Sequence, residues 1–270
     1  MKIFFVLLFS FFSIQNISAC HEKPPEKIYI ISLDRTPHRL KFVKNQLDKF
    51  GFQCTHFHAV DGKLCKVTDL ATGKTISNKE KGHSYIIADQ SEKYKNAEFV
   101  YSYKEQDLTP GECGCFLSHR AVWQDIVKHG YKNAIIFEDD VEFFHNFKEN
   151  LLEVMKNIPD DFDIFFLDIG MCKPYAEKTY FVSAGFWLSN FSNTSSPYYA
   201  SLKSTRRIWG LHAYCVNSKS AEKLLKLTEI AYVPVDAAII DHAENLNLYV
   251  SKIKLVSGNH FYSEITKLGR

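Results

Sequence analysis

Apolar and polar positions change period along this chain, and each change marks an element. Residues 27–33 (KIYIISL) form a compact Ile-rich run, with Pro24-Pro25 in the polar linker before it and Asp34-Arg35-Thr36 after it. That predicts a buried strand and a turn. Helical spacing follows: Thr36 can cap, Pro37 sits in the first turn, and Leu40, Val43 and Leu47 recur as far as Gly51. Residues 54–60 predict a second strand, closed by the turn pair Asp61-Gly62. Residues 63–107 are polar with scattered Lys and Glu, and no period persists. They are expected to form an insertion or mobile loop region carrying one short helix.

A well-marked helix start comes next. Thr109 can cap, Pro110 takes the first helical position and Glu112 completes a capping box. Glu112, Cys115, His119, Val122 and Ile126 then share one face, and Gly130 ends the helix. Strands are expected at 133–137, 163–167, 180–188 and 248–256, helices at 147–158 and 218–227, and a Ser-, Asn- and Tyr-rich loop at 190–204. Strands alternating with helices imply an α/β fold with a mostly parallel sheet, here a single domain over 26–265.

The amino terminus has a different character. Met1-Lys2 precedes an apolar run at 3–14, and Ile17-Ser18-Ala19-Cys20 follows. The run is short for a membrane span and predicts a secretory signal peptide over 1–19. Ile-Ser-Ala-Cys also resembles a bacterial lipobox with Cys20 lipidated, and an uncleaved anchor is a third reading. No later segment is apolar enough to span a bilayer. The expected location is therefore the lumen of an ER- or Golgi-like compartment or the exterior, with a bacterial envelope lipoprotein as the alternative. There are seven cysteines, at 20, 54, 65, 113, 115, 172 and 215. Six remain without Cys20, a number that permits disulfides without fixing their connectivity. Cys113-x-Cys115 has no second pair at zinc spacing, which favours packing or disulfide bonding over metal. Asn190 and Asn193 begin glycosylation sequons, meaningful in a eukaryotic host. A formal net charge of +2 gives no global electrostatic case for nucleic acid.

The chemistry concentrates at Glu138-Asp139-Asp140, where an apolar strand ends. Carboxylates crowded at the end of a buried strand repel one another and are costly to desolvate, and a divalent cation is the simplest remedy. Ligands of open α/β sheets sit at that end. The competing reading is a solvated acidic turn. Ser118-His119 invites a nucleophile, but adjacent helical residues do not face each other and the nucleophile-elbow pattern is absent. His119 is expected to hydrogen-bond behind the acidic strand.

Four blocks carry a resemblance to glycosyltransferase family 25. They are Ile30-Ile-Ser-Leu-Asp-Arg with Arg39, Ala59-Val-Asp-Gly62, the stretch 108–141 containing Gly-Glu-x-Gly-Cys-x-x-Ser-His and Glu-Asp-Asp, and the late Ala213-Tyr214, Ala221-Glu-Lys-Leu-Leu225 and Pro234-Val-Asp236. Cys113 departs from the aliphatic residue usual in the family. The resemblance implies a GT-A-like, Rossmann-like nucleotide-sugar transferase fold. It implies inverting transfer of a hexose, commonly galactose, from a UDP-sugar to a glycan or protein hydroxyl. Mn²⁺ or Mg²⁺ would offset the charge of the departing diphosphate. Asp140 and Glu138 would be metal ligands, with His260 as a third, and Asp139 a ligand or ribose contact. Ser32, Asp34, Arg35, Asp61 and Gly62 would meet the nucleotide, and Arg35 or Arg39 would pair with its diphosphate. Asp236, or second Asp168, would be the base for the acceptor hydroxyl. The alternatives are a non-catalytic sugar- or protein-binding module on the same fold and a metal-dependent hydrolase.

Overall fold

The structure is a computed structural model, and it describes residues 24–90, 94, 97–104, 106–171, 191–192, 194–202 and 208–258. The leader at 1–19, the strand expected at 180–188, Cys20, Cys172, Asn190, Asn193 and His260 lie outside the described residues.

The chain runs β1 (Lys27–Ser32), α1 (Pro37–Lys49), β2 (Thr55–His58), a 3-10 turn (Gly62–Leu64), β3 (Lys66–Asp69), β4 (Ser84–Ala88), β5 (Glu98–Ser102), α2 (Pro110–His129), β6 (Ala134–Glu138) and β7 (Glu142–Phe143). It continues through α3 (Phe147–Asn157), β8 (Ile164–Met171), β9 (Phe191–Ser192), β10 (Tyr199–Leu202), β11 (Ile208–Val216), α4 (Ser218–Leu227), β12 (Ile230–Ala231), α5 (Val235–Asp241), β13 (Leu248–Ser251) and β14 (Val256–Ser257). The central sheet has eight strands in the order β2-β1-β6-β11-β8-β13-β10-β9. All point one way except β10 and β11, so the fold is mixed α/β with a mostly parallel sheet. Among the described residues no helix is long and apolar enough to cross a membrane.

Strand alternation sorts the core into two layers. Tyr29, Ile31, Ile136, Tyr214 and Val216 face α2, α4 and α5, whereas Ile28, Ile30, Ile135, Phe137 and Cys215 face α1 and α3. Both faces of the inner strands are covered, which is why β1 and β6 read as unbroken apolar runs. By the same alternation, Glu138 follows Ala134 and Ile136 onto the α2 side.

Four expectations need correction. Residues 63–107 are not a loop region with a helix: β3, β4 and β5 form a second sheet with β12, in the order β12-β5-β4-β3. Its strands bury alternate residues only, Tyr85 and Ile87 in β4 and Phe99 and Tyr101 in β5, so too few apolar positions fall in a row to stand out among the lysines. The expected loop at 190–204 contains β9 and β10, and β10 pairs antiparallel with β13. The run at 248–256 is two strands, broken where the Ser251 hydroxyl bonds the Ile253 carbonyl at 2.7 Å. Thr36 precedes α1 without a side-chain cap, because its hydroxyl donates to the Leu33 carbonyl at 3.1 Å. The capping box of α2 is present as expected, and Gly130 closes that helix in the left-handed region.

The loop after β2 crosses the first turn of α2 at backbone contact. A Cβ on Gly62 would lie 1.5 Å from the Pro110 carbonyl oxygen, and one on Gly114 would lie 2.6 Å from the Val60 carbonyl oxygen. Neither neighbour is a side chain that can swing away. Gly62→Ala is expected to lower the unfolding free energy by about 3 kcal/mol, read from the urea midpoint. An unchanged midpoint would contradict the close crossing.

Candidate functional site

A cleft opens where β1 and β6 end, between the 61–62 loop and the first half of α2. Its empty volume is about 690 Å³, a figure that includes space open to solvent. Ser32, Arg35, Asp61, Gly62, Glu138, Asp139 and Asp140 line it, so most residues expected at the site do meet in one place. Asp34 is not among the lining residues and turns towards β2. Arg35 does not reach freely into the cleft, since its Nε donates to Asp61 Oδ2 at 2.9 Å. Burial would raise the Asp61 carboxyl, but that bond and the Lys63 amide hold it below its ordinary value.

The three consecutive carboxylates divide into two groups. Asp139 turns to the start of α1. Its Oδ2 accepts from Ser32 Oγ at 2.6 Å, and its Oδ1 lies 2.6 Å from an Arg39 guanidinium nitrogen. That nitrogen is also 3.7 Å from Asp140 Oδ2. Arg39 is 6% exposed and serves these carboxylates. Glu138 and Asp140 turn to His212, whose Nδ1 lies 3.6 Å from Glu138 Oε2 and 3.8 Å from Asp140 Oδ1. Glu138 keeps 26% of its side chain exposed, whereas Asp140 is 4% exposed.

His212 is the site residue that sequence reasoning missed. It arrives on β11, whose presence was marked only by the Ala213-Tyr214 block. The available signal was one histidine inside the apolar run Trp209-Gly-Leu-His-Ala-Tyr-Cys-Val216. Its ring is packed between two glycines. A Cβ on Gly210 would fall 2.4 Å from His212 Nε2, and one on Gly258 would fall 2.8 Å from Cδ2. The two carboxylates expected to act as base hold those glycines. Asp236 Oδ2 accepts the Gly210 amide at 2.9 Å and its Oδ1 accepts the Ala237 amide at 2.8 Å. Asp168 Oδ2 accepts the Gly258 amide at 2.9 Å. Gly210 also has φ +92°, which disfavours any side chain there. Gly210→Ala is therefore expected to push the imidazole off the carboxylates and to weaken Mn²⁺ binding about tenfold or more. Calorimetric titration would show this, and unchanged affinity would mean that His212 is not needed there.

His119 stands behind Glu138 as expected, with Nε2 at 3.3 Å from Glu138 Oε1 and Nδ1 at 2.7 Å from the Tyr214 hydroxyl. The Trp123 indole N–H donates to that hydroxyl at 3.0 Å. Indole can only donate, so the simplest assignment has Tyr214 donate to Nδ1 and His119 donate from Nε2 to Glu138. Ser118 is structural: its hydroxyl accepts the Val60 amide at 2.9 Å and donates to the Gly114 carbonyl at 2.6 Å.

Charge does not balance here. Burial alone would raise Glu138, but His119 and His212 override it and hold the carboxyl well below its usual range. Burial and then the Glu138 charge push Asp140 up to about 6. Burial would lower His212, yet Glu138, Asp140 and Asp168 carry it up to about 9. Three carboxylates thus face Arg39 and His212, and negative charge is in excess, the more so once His212 gives up its proton to act as a ligand. Asp140 Oδ1 and His212 Nδ1, which face each other, are also buried without a hydrogen-bond partner. One donor atom each from Glu138, Asp140 and His212 lie within 4.8 Å of one another. Two carboxylates, an imidazole and surplus negative charge suit a divalent cation.

Comparison with known proteins points to one family. A model of the family described as glycosyltransferase family 25 (LPS biosynthesis protein) matches residues 25–239. A "Glycosyltransferase 25 family member" of Drosophila melanogaster is 31% identical over 141 residues, 50% of this chain and 20% of that protein. A "Probable inactive glycosyltransferase 25 family member 3" of Rattus norvegicus is 26% identical over 202 residues, 71% of this chain and 32% of its own length. Human "Procollagen galactosyltransferase 2" is 29% identical over 137 residues, 49% of this chain and 18% of its own. The matches thus cover a third or less of each relative.

Proposed function

The chain belongs to glycosyltransferase family 25, and from that premise we propose that it transfers a hexose, galactose in the first instance, from a UDP-sugar to a glycan or protein hydroxyl. The observation that carries this reading is the convergence of donor atoms from Glu138, Asp140 and His212 at the end of β6, where Glu138 and Asp140 line the cleft. Those residues would hold Mn²⁺, or Mg²⁺, whose positive charge offsets that of the departing diphosphate. The remaining work falls to the chain itself. Arg39 neutralises Asp139 and leaves Glu138 and Asp140 to the ion. His119 fixes the Glu138 carboxylate through its Nε2. Arg35, with Asp61 as its partner, stands on the cleft wall where a diphosphate or ribose would lie, and Gly62 lets the loop carrying Asp61 pass close to α2.

Inverting transfer also needs a base at the acceptor hydroxyl. Asp168 is 6% exposed, beneath Gly258. Asp236 is partly exposed, and each of its oxygens keeps a lone pair beyond its backbone bond. We therefore assign the base to Asp236. The apolar leader supports work in a secretory lumen or outside the cell.

The test is UDP release from a panel of UDP-sugars, with and without Mn²⁺, against glycan and hydroxylysine-peptide acceptors. Metal-dependent release with one sugar is expected. UDP binding without turnover would instead favour a non-catalytic module, a reading raised by the relatives named inactive. Absence of both UDP binding and UDP release would overturn the proposal.

A further inference from the structure

Asp34 lies outside the donor cleft, against a histidine pair on the sheet edge. β2 ends the central sheet, with β1 as its neighbour on one side. His56 and His58 stand two residues apart on it and so project to the same face. Their rings lie 4.0 Å apart by centroid and 34° from parallel. Asp34 Oδ1 is hydrogen-bonded to His58 Nδ1 and stands 3.9 Å from His56 Nε2. One ring nitrogen of each histidine and one Asp34 oxygen fall within 4.8 Å of one another.

We propose that Asp34, His56 and His58 form a second metal site, for a borderline transition ion of the Zn²⁺ class, separate from the carboxylate centre of the cleft. Two imidazoles with one carboxylate are a donor set for zinc, copper or nickel rather than for magnesium or calcium. Bonds near 2.0–2.1 Å put tetrahedral donors about 3.4 Å apart, so the observed spacing needs only small side-chain rotations. The side chains keep exposures of 69% for Asp34, 38% for His58 and 25% for His56. His56 Nε2 also lies 3.1 Å from the Ser32 carbonyl oxygen. Binding through that nitrogen exchanges the carbonyl contact for the ion and leaves the Ser32 hydroxyl on Asp139. Three protein donors at a solvent-facing edge leave the remaining positions to water or a ligand.

The probe is Zn²⁺ itself, titrated into the full-length protein against a chromophoric chelator. The cleft has its own zinc-compatible group in Cys115, His119 and Glu138, so the measurement needs two sets of variants. Cys115→Ser/Glu138→Gln should retain a tight equivalent of zinc, and excess Mn²⁺ should not displace it. His56→Ala/His58→Ala, and separately Asp34→Asn, should weaken that equivalent by about tenfold or more. Circular dichroism on the exposed single variants His56→Ala and His58→Ala checks that folding is intact. Wild-type zinc affinity in the histidine variants, or loss of all zinc in the cleft variant alone, would overturn the assignment and show an ordinary Asp–His surface pair.

Discussion

Arg39→Met should cost about 3–5 kcal/mol of folding stability, the largest structural penalty expected from any single substitution at the cleft. The guanidinium is 6% exposed, 2.6 Å from Asp139 Oδ1 and 3.7 Å from Asp140 Oδ2. Methionine fills the space of the stem but leaves Asp139 buried with no positive charge beside it, and leaves Asp140 with His212 alone. Breaking one side of a buried ion pair has this cost because the stranded charge stays desolvated. Arg39→Lys should fall between, since an ammonium keeps the charge without the planar fork. Urea denaturation without divalent cations gives the number, and millimolar Mn²⁺ should restore part of it. A loss under about 1 kcal/mol would mean that these carboxylates reach water more easily than their burial implies.

Asp140→Ala should separate activity from stability. Metal-dependent UDP release is expected to drop about a thousandfold, roughly 4 kcal/mol of lost transition-state stabilisation. The metal-free protein should nevertheless melt within a few degrees of wild type. Asp140 sits at 4% exposure beside Glu138, and burial and that neighbouring charge together push its carboxyl up to about 6. Removing it relieves repulsion in the absence of the ion and so offsets the small cavity left behind. A variant that lost both activity and folding would assign Asp140 a structural role instead.

Local signals were legible in the chain and distant ones were not. The capping box Thr109–Glu112 and the run ending at Glu138 could be read because each is written within a few consecutive residues. The second sheet escaped because β4 and β5 bury only every other residue. β11 escaped because Gly210 and His212 interrupt its apolar pattern, and its pairing with β8 shifts register between Trp209 and Tyr214. With that strand went His212, while His260, the late histidine expected as a ligand, lies outside the described residues. Asp34 was misplaced for a related reason: position after β1 suggested the cleft, and only the neighbouring edge strand could show which way the side chain turns. Asp236 was picked out from the Pro234-Val-Asp block and Asp168 from its place at the carboxyl end of a strand, but their hold on Gly210 and Gly258 involves partners far away in sequence.

Helix α2 works on two sides at once. One side gives Cys115, Ser118 and His119 to the cleft. On the other, Phe116 stacks on Phe99 with 4.2 Å between ring centroids. Arg120 there donates to the carbonyls of Glu98 and Leu225 and to the Thr228 hydroxyl. β12 adds to β5 from far along the chain. Residues 63–107 therefore cannot be trimmed as a dispensable loop when engineering a smaller protein. Excision would take one of three partners from the buried Arg120 guanidinium, bare an aromatic face and unseat the wall against which the sugar donor is expected to rest.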